Sequence, residues 1–145
     1  MNPPLRDESD RIALIEGIRD GTIDMIATDH APHSAEEKAK GLEGSPFGIV
    51  GIETAFAVLY TDLVKPGVIT LERLAELLCY APRRRFGIAS PPLDFTVFEV
   101  SKSYKIDPSE FFSKGKSTPF TDKEVFGRCV LTVSDGKVVY EDVLK

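Results

Sequence analysis

The chain has 145 residues, 42% hydrophobic and 28% charged, with a formal net charge of −5, the balance of a globular protein about one domain long. That acidic balance argues against nucleic acid, which calls for a basic face, and no apolar run approaches the roughly 20 residues that span a bilayer. The opening Met-Asn-Pro-Pro-Leu-Arg holds no apolar core for a secretion signal, so a cytoplasmic protein is expected.

Two successive prolines keep residues 1–6 extended. Asp7 or Ser9 caps a helix running to about Asp20, with Ile12, Ile15 and Ile18 on its inner side and Gly21 as its stop. The apolar run over 23–28 predicts a buried strand. It ends in Asp29-His30-Ala31-Pro32-His33, which contains both histidines of the chain. A loop follows over 30–50, and a loop of about 20 residues inside a compact domain is uncommon and often functional. Residues 51–64 predict a helix with Ile52, Ala55, Phe56, Leu59 and Leu63 inward, closed by Pro66-Gly67. Thr70 caps another through Tyr80, with Leu71, Leu74, Leu77 and Leu78 inward, and Pro82 and Gly87 bracket a short third piece. Cys79 and Cys129 sit in apolar settings and read as buried thiols, not a disulfide or a zinc pair.

Pro91-Pro92 marks a change of character. Strands are predicted over about 94–100, 128–134 and 137–141, the last two joined through Ser134-Asp135-Gly136, a strong hairpin signal. Between them, 101–126 is polar and lysine-rich with little periodicity. Three strands with open edges seek partners.

An acid at a strand tip that opens into a histidine-bearing loop is how a (β/α) barrel presents a catalytic carboxylate. Asp29 can ligate a metal, act as the base that moves a proton from an attacking water to a leaving nitrogen, or simply cap the next segment. His33 reads as a metal ligand, as a donor to a substrate carboxylate, or as a solvated loop histidine, and composition alone favours the last. His30, beside the strand end, reads as a packing residue. No His-x-His or His-Glu-x-x-His pair is present, so no complete metal site can be read. The glycines of Ser45-Pro-Phe-Gly-Ile-Val-Gly51 let backbone approach a ligand or simply form a turn. Arg83-Arg84-Arg85 reads as a solvated helical face, and the lysines at 102, 105, 114 and 116 as a solvated loop.

Five motifs in order, Asn2-Pro-Pro-Leu-Arg6, Thr28-Asp-His-Ala-Pro-His33, Pro46-Phe-Gly-Ile49, Gly51-Ile-Glu-Thr-Ala55 and Ser113-Lys-Gly-Lys-Ser-Thr-Pro-Phe120, resemble the C-terminal part of bacterial dihydroorotases. The resemblance implies an α/β fold: the C-terminal fragment of a (β/α)8 TIM barrel over 1–90, and part of a small β-sheet domain over 91–145. A complete barrel needs about 250 residues. It implies a zinc-dependent cyclic amide hydrolase that interconverts N-carbamoyl-L-aspartate and dihydroorotate in pyrimidine synthesis. Asp29 matches the acid that ligates the metal and shuttles the proton; Asn2, His33, Phe47 and Gly48 match substrate contacts. The family's His-x-His, its bridging acid and its two further histidine ligands have no counterpart here and are expected upstream of Met1, so the chain alone is expected to be inactive. The implied partner is a small-molecule substrate, with a second copy or aspartate transcarbamoylase as a docking partner. The alternatives are a non-catalytic module of that docking kind, or a related cyclic amidase of the hydantoinase or allantoinase type.

Overall fold

The computed structural model describes residues 2–89 and 91–142; Met1, where the expected extended entry begins, lies outside them. The chain forms two compact units, residues 1–56 with 105–123 and residues 57–104 with 124–145.

The first unit opens with α1 (Glu8–Asp20), whose start and stop are written in single residues. The Asp7 carboxylate accepts from the Ser9 and Asp10 amides, satisfying two of the otherwise orphan donors of the first turn. Gly21 ends the helix in the left-handed conformation. Ile15 and Ile18 are half-buried, but Ile12 is exposed, because no described element lies over that part of the helix. The strand expected over 23–28 is not formed. A strand exists only through a neighbour's hydrogen bonds, and among the described residues the one sheet is made of three later segments. The expected long loop contains two short helices, α2 (Ala35–Lys38) and α3 (Gly41–Gly44). A reciprocal pair of hydrogen bonds opens α2: Ser34 accepts from the Glu37 amide while the Glu37 carboxylate accepts from the Ser34 amide. Residues 112–117 strap back over this region. The Val50 amide donates to the Ser117 carbonyl at 2.9 Å, and Val50, Thr54 and Ile106 are nearly sealed from solvent.

In the second unit, α4 (Ala55–Leu59) runs on from the first and passes without interruption into a π-helical turn, Tyr60–Val64. Thr61 marks the change. Its hydroxyl donates to the Ala57 carbonyl at 2.7 Å, which loosens the regular ladder, and accepts from the Phe126 amide of the sheet at 2.9 Å. The ammonium of Lys65 lies 3.8 Å from the centre of the Phe126 ring, reinforcing the same junction. The Thr70-capped helix α5 (Leu71–Ala75) likewise becomes a π-turn over Glu76–Tyr80 and then α6 (Ala81–Phe86), which Gly87 ends in the left-handed region. Widened turns of this kind interrupt helices in single steps, and Pro82, which has no N–H to give, falls just after the second one. Leu74 and Leu77 are completely buried, as expected, whereas Leu71 and Ile52 are exposed. Cys79 is exposed and Cys129 half-buried, both free, so the expectation of two buried thiols fails at Cys79, which lies off the stripe that Leu74 and Leu77 bury. Truncating Leu77 to Ala removes a fully packed side chain; we expect a loss of about 3 kcal/mol in urea unfolding.

The sheet has the order β1 (Phe95–Lys105), β2 (Glu124–Ser134), β3 (Lys137–Glu141), with β2 central. The β2–β3 hairpin is antiparallel and turns at Asp135 and Gly136, both at positive φ, the conformation that this pair of residues favours. The first two strands are longer than alternation suggests. Polar residues extend them through cross-strand contacts: the Ser103 hydroxyl donates to Glu124 at 2.6 Å, and the Arg128 guanidinium stands 5.3 Å from the Tyr104 ring centre.

Candidate active site

Asp29 has φ of +47°, a conformation an aspartate adopts at modest cost and most side chains avoid. Such strain tends to collect where a side chain is being aimed. The cavity it lines, about 90 Å³, is completed by Asn2, Thr28, Ala31, Phe47, Gly48 and Ile49. Four of the five candidate residues, Asn2, Asp29, Phe47 and Gly48, therefore share one cavity although the chain separates them by up to 46 positions.

His33, the fifth, does not line that cavity. Its Nε2 lies 2.9 Å from the Phe47 carbonyl, holding the loop that does, while its Nδ1 is 3.6 Å from the Glu37 carboxylate. His30 turns the other way. Its Nδ1 accepts from the amides of Gly51 and Ile52 at 3.1 and 3.3 Å, which fixes the proton of the neutral ring on Nε2. α4 starts at Ala55, later than periodicity suggests.

Two residues to which the sequence assigned no role shape the site. The Lys38 ammonium donates to the carbonyls of Pro46 and Gly48, at 2.8 and 2.6 Å, and clamps the loop on both sides of Phe47. Glu53 accepts from the amides of Phe112 and Ser113 and from the Ser113 hydroxyl, at 2.7, 3.1 and 2.5 Å, and so ties down the strap. Backbone crowding finishes the arrangement. A Cβ on Gly48, whose φ is +123°, would lie 2.6 Å from the Ala31 Cβ and 2.7 Å from its carbonyl oxygen. One on Gly115 would lie 2.7 Å from both the N and the O of His33.

Burial pushes the Glu53 carboxyl up, but the Ser113 hydroxyl, the two amides and the charge of Lys116 outweigh it, and the group is held below its ordinary value of 4.5. A carboxyl lowered in the folded state stabilises that state above its ordinary value and loses the contribution as pH falls through the lower folded value. We expect hydrogen-exchange protection at Phe112 and Ser113, corrected for intrinsic rates, to fall as pH drops below about 4.5. The Glu53→Gln variant should show weaker protection at neutral pH and no such dependence.

Among the described residues no three or more His, Cys, Asp or Glu side chains converge as a metal site, and no helix is long and apolar enough to cross a membrane. Asp29 is the one carboxylate of the cavity, and tetrahedral zinc takes at least three protein ligands. The residues present do not by themselves fit a zinc centre.

No family model matches the chain. Among curated proteins it is 53% identical, over 97% of its length, to a dihydroorotase of Bacillus cereus (strain B4264) and equally to one of Bacillus cytotoxicus. In sequence, the chain is similar to a C-terminal portion of these dihydroorotases. It spans about a third, 34%, of the length of these dihydroorotase relatives. In structure it is similar to the L-hydantoinase of Arthrobacter aurescens, with TM-score 0.86 and 33% identity, covering 99% of this chain and 35% of that one. It is also similar to a D-hydantoinase of Thermus sp., with TM-score 0.88 and 27% identity, covering 98% and 33%. Dihydroorotase sequence and hydantoinase structure agree on the fold, a portion of an amidohydrolase TIM-barrel enzyme, here α/β with a small sheet.

Proposed function

We propose that this dihydroorotase-like chain contributes the proton-carrying carboxylate and one wall of the substrate cavity of a cyclic amide hydrolase that interconverts N-carbamoyl-L-aspartate and dihydroorotate in pyrimidine synthesis. The observation that carries the reading is the common cavity of Asn2, Asp29, Phe47 and Gly48. The 53% identity to dihydroorotases supports the substrate. Residues 1–90 form the barrel portion and 91–145 the small-sheet portion in this reading.

Hydrolysis adds water's hydroxyl to the ring carbonyl carbon, breaks the ring C–N bond and delivers a proton to the departing nitrogen. Asp29 performs the transfer: it accepts the proton of the attacking water and returns it to nitrogen, a task for a positioned carboxylate. The Asn2 amide and the backbone N–H and C=O groups of Phe47 and Gly48 hold the ring, supplying fixed dipoles in place of water. His33 sets the Phe47 carbonyl and, on releasing it, donates to the substrate carboxylate. Zinc would supply a Lewis acid in this reading, with Asp29 as one ligand and the others donated from outside this chain.

The 33% identity to a hydantoinase of known structure favours a second reading, hydrolysis of a five-membered cyclic ureide. A chimera separates the two. With residues 1–145 substituted for the matching third of the Bacillus cereus enzyme, we expect turnover of dihydroorotate and little of hydantoin. The reverse preference would select the second reading, and a folded chimera inert toward both would overturn the proposal. The 145-residue chain alone should hydrolyse neither.

A further inference from the structure

The backbone over 46–49 forms one wall of the Asp29 cavity, and its polar groups are used one-sidedly. Four successive carbonyls are taken. Those of Pro46 and Gly48 accept from the Lys38 ammonium at 2.8 and 2.6 Å, that of Phe47 lies 2.9 Å from the His33 Nε2, and that of Ile49 accepts from the Ala31 amide at 3.0 Å. The amides of Phe47, Gly48 and Ile49 have no hydrogen-bond partner among the described residues, and all three residues line the cavity. The Phe47 side chain is 63% exposed, so burial of its ring does little to hold the loop. The polar ties hold it.

Those ties are unequal. His33 holds one carbonyl through one ring nitrogen, and in the hydrolase reading it lets go to meet the substrate carboxylate. Lys38 holds the two carbonyls on either side. Its own backbone is anchored as well: its carbonyl accepts from the Ser45 hydroxyl at 2.9 Å, at the start of the same loop, and its amide donates to the Ser34 carbonyl at 3.1 Å. The Lys38 ammonium has no ion-pair partner among the described residues, so no carboxylate there competes with the two carbonyls for it.

We propose that Lys38 is the positioning residue of this loop. It keeps Pro46 and Gly48 in place while the Phe47 carbonyl exchanges His33 for the substrate ring, so the ring meets a wall already ordered. A wall ordered beforehand loses little conformational freedom on binding, and that saving appears as affinity. Lys38 does not itself line the Asp29 cavity, so it acts through the loop and leaves the proton path alone. The inference rests on the hydrolase reading and adds to it the residue that prepares the substrate wall.

The test compares Lys38→Met and Lys38→Arg in the Bacillus cereus chimera. Methionine keeps an unbranched apolar stem and removes the donors; arginine restores N–H groups able to meet two carbonyls. Two hydrogen bonds from a charged donor are lost in the methionine form. We expect it to raise KM for dihydroorotate at least about fivefold with kcat within about twofold, and the arginine form to recover most of that loss. A second readout needs no turnover. In the 145-residue chain, thermolysin, which cuts before large apolar residues, should cleave before Phe47 or Ile49 at least about fivefold faster in the Lys38→Met form, relative to cleavage elsewhere, because the loop opens locally. A chimera inert with lysine in place would count against the hydrolase reading, and the proteolysis would then decide the role of Lys38 in the loop. An unchanged KM, a loss that falls on kcat instead, arginine no better than methionine, or unchanged cleavage at the loop would each overturn the proposal.

Discussion

In the Bacillus cereus chimera, Asp29→Asn is expected to lower kcat/KM for dihydroorotate by about 10²- to 10⁴-fold, the usual worth of positioned acid–base catalysis. Asparagine keeps the shape of the side chain and can still cap or pack, so a residue with only those roles would tolerate the change. It cannot carry the proton from water to nitrogen. The loss should appear mainly in kcat, because the groups that hold the ring, Asn2 and the Phe47–Gly48 backbone, are untouched. A chimera whose Asp29→Asn form retains kcat within a few-fold would remove Asp29 from the proton path.

Gly48→Ala is expected to have the largest effect among substitutions that carry no charge. The new methyl would meet the Ala31 Cβ at 2.6 Å and its carbonyl at 2.7 Å, and the φ of +123° is closed to alanine. Something must shift, and the neighbours are backbone and a short side chain that cannot swing aside. A loss of at least about 2 kcal/mol is expected from strain and overpacking together, read as a lower urea midpoint. The same shift would move the Phe47 carbonyl from His33 and the Gly48 carbonyl from Lys38, so the chimera should also lose substrate affinity. Gly67→Ala is the control. Its φ is +78° but nothing lies within 4 Å of the new methyl, so it should cost only about 1 kcal/mol. Equal costs at the two positions would show that the crowding around Gly48 relaxes freely.

Local chemistry was the legible part of this chain. Asp7 and Thr70 as caps, Gly21 and Gly87 as stops and the Asp135-Gly136 turn act within a few residues of themselves, and each appears where its chemistry requires. Ser34-Ala-Glu-Glu37 carries the same kind of signal, a serine three residues before a glutamate, and was there to be read as the start of α2. What failed depends on neighbours. The 23–28 run has the composition of a strand, but pairing is a property of two segments, and no described segment pairs with it. Polar residues at 101–105 show no alternation and are strand because β2 lies beside them. The π-turn at Thr61 follows from a hydroxyl bonding both its own helix and a strand 65 residues away.

The candidate site divides along the same line. A carboxylate at 29 followed by a histidine-bearing turn was visible as a pattern, but its joining with Asn2 and Phe47–Gly48 was implied only by resemblance to a family. Lys38 gave no signal, and Glu53 stood only within a family-like motif with no role of its own. Lys38 acts on backbone carbonyls 8 and 10 positions on, and Glu53 on amides about 60 positions away.

A crystal structure of the Asp29→Asn chimera with dihydroorotate held in it would go straight to the heart of the matter. The ring should lie against Asn2, Phe47 and Gly48, its amide nitrogen within hydrogen-bond reach of residue 29. A ring bound elsewhere, or residue 29 turned away from that nitrogen, would contradict the role given to Asp29.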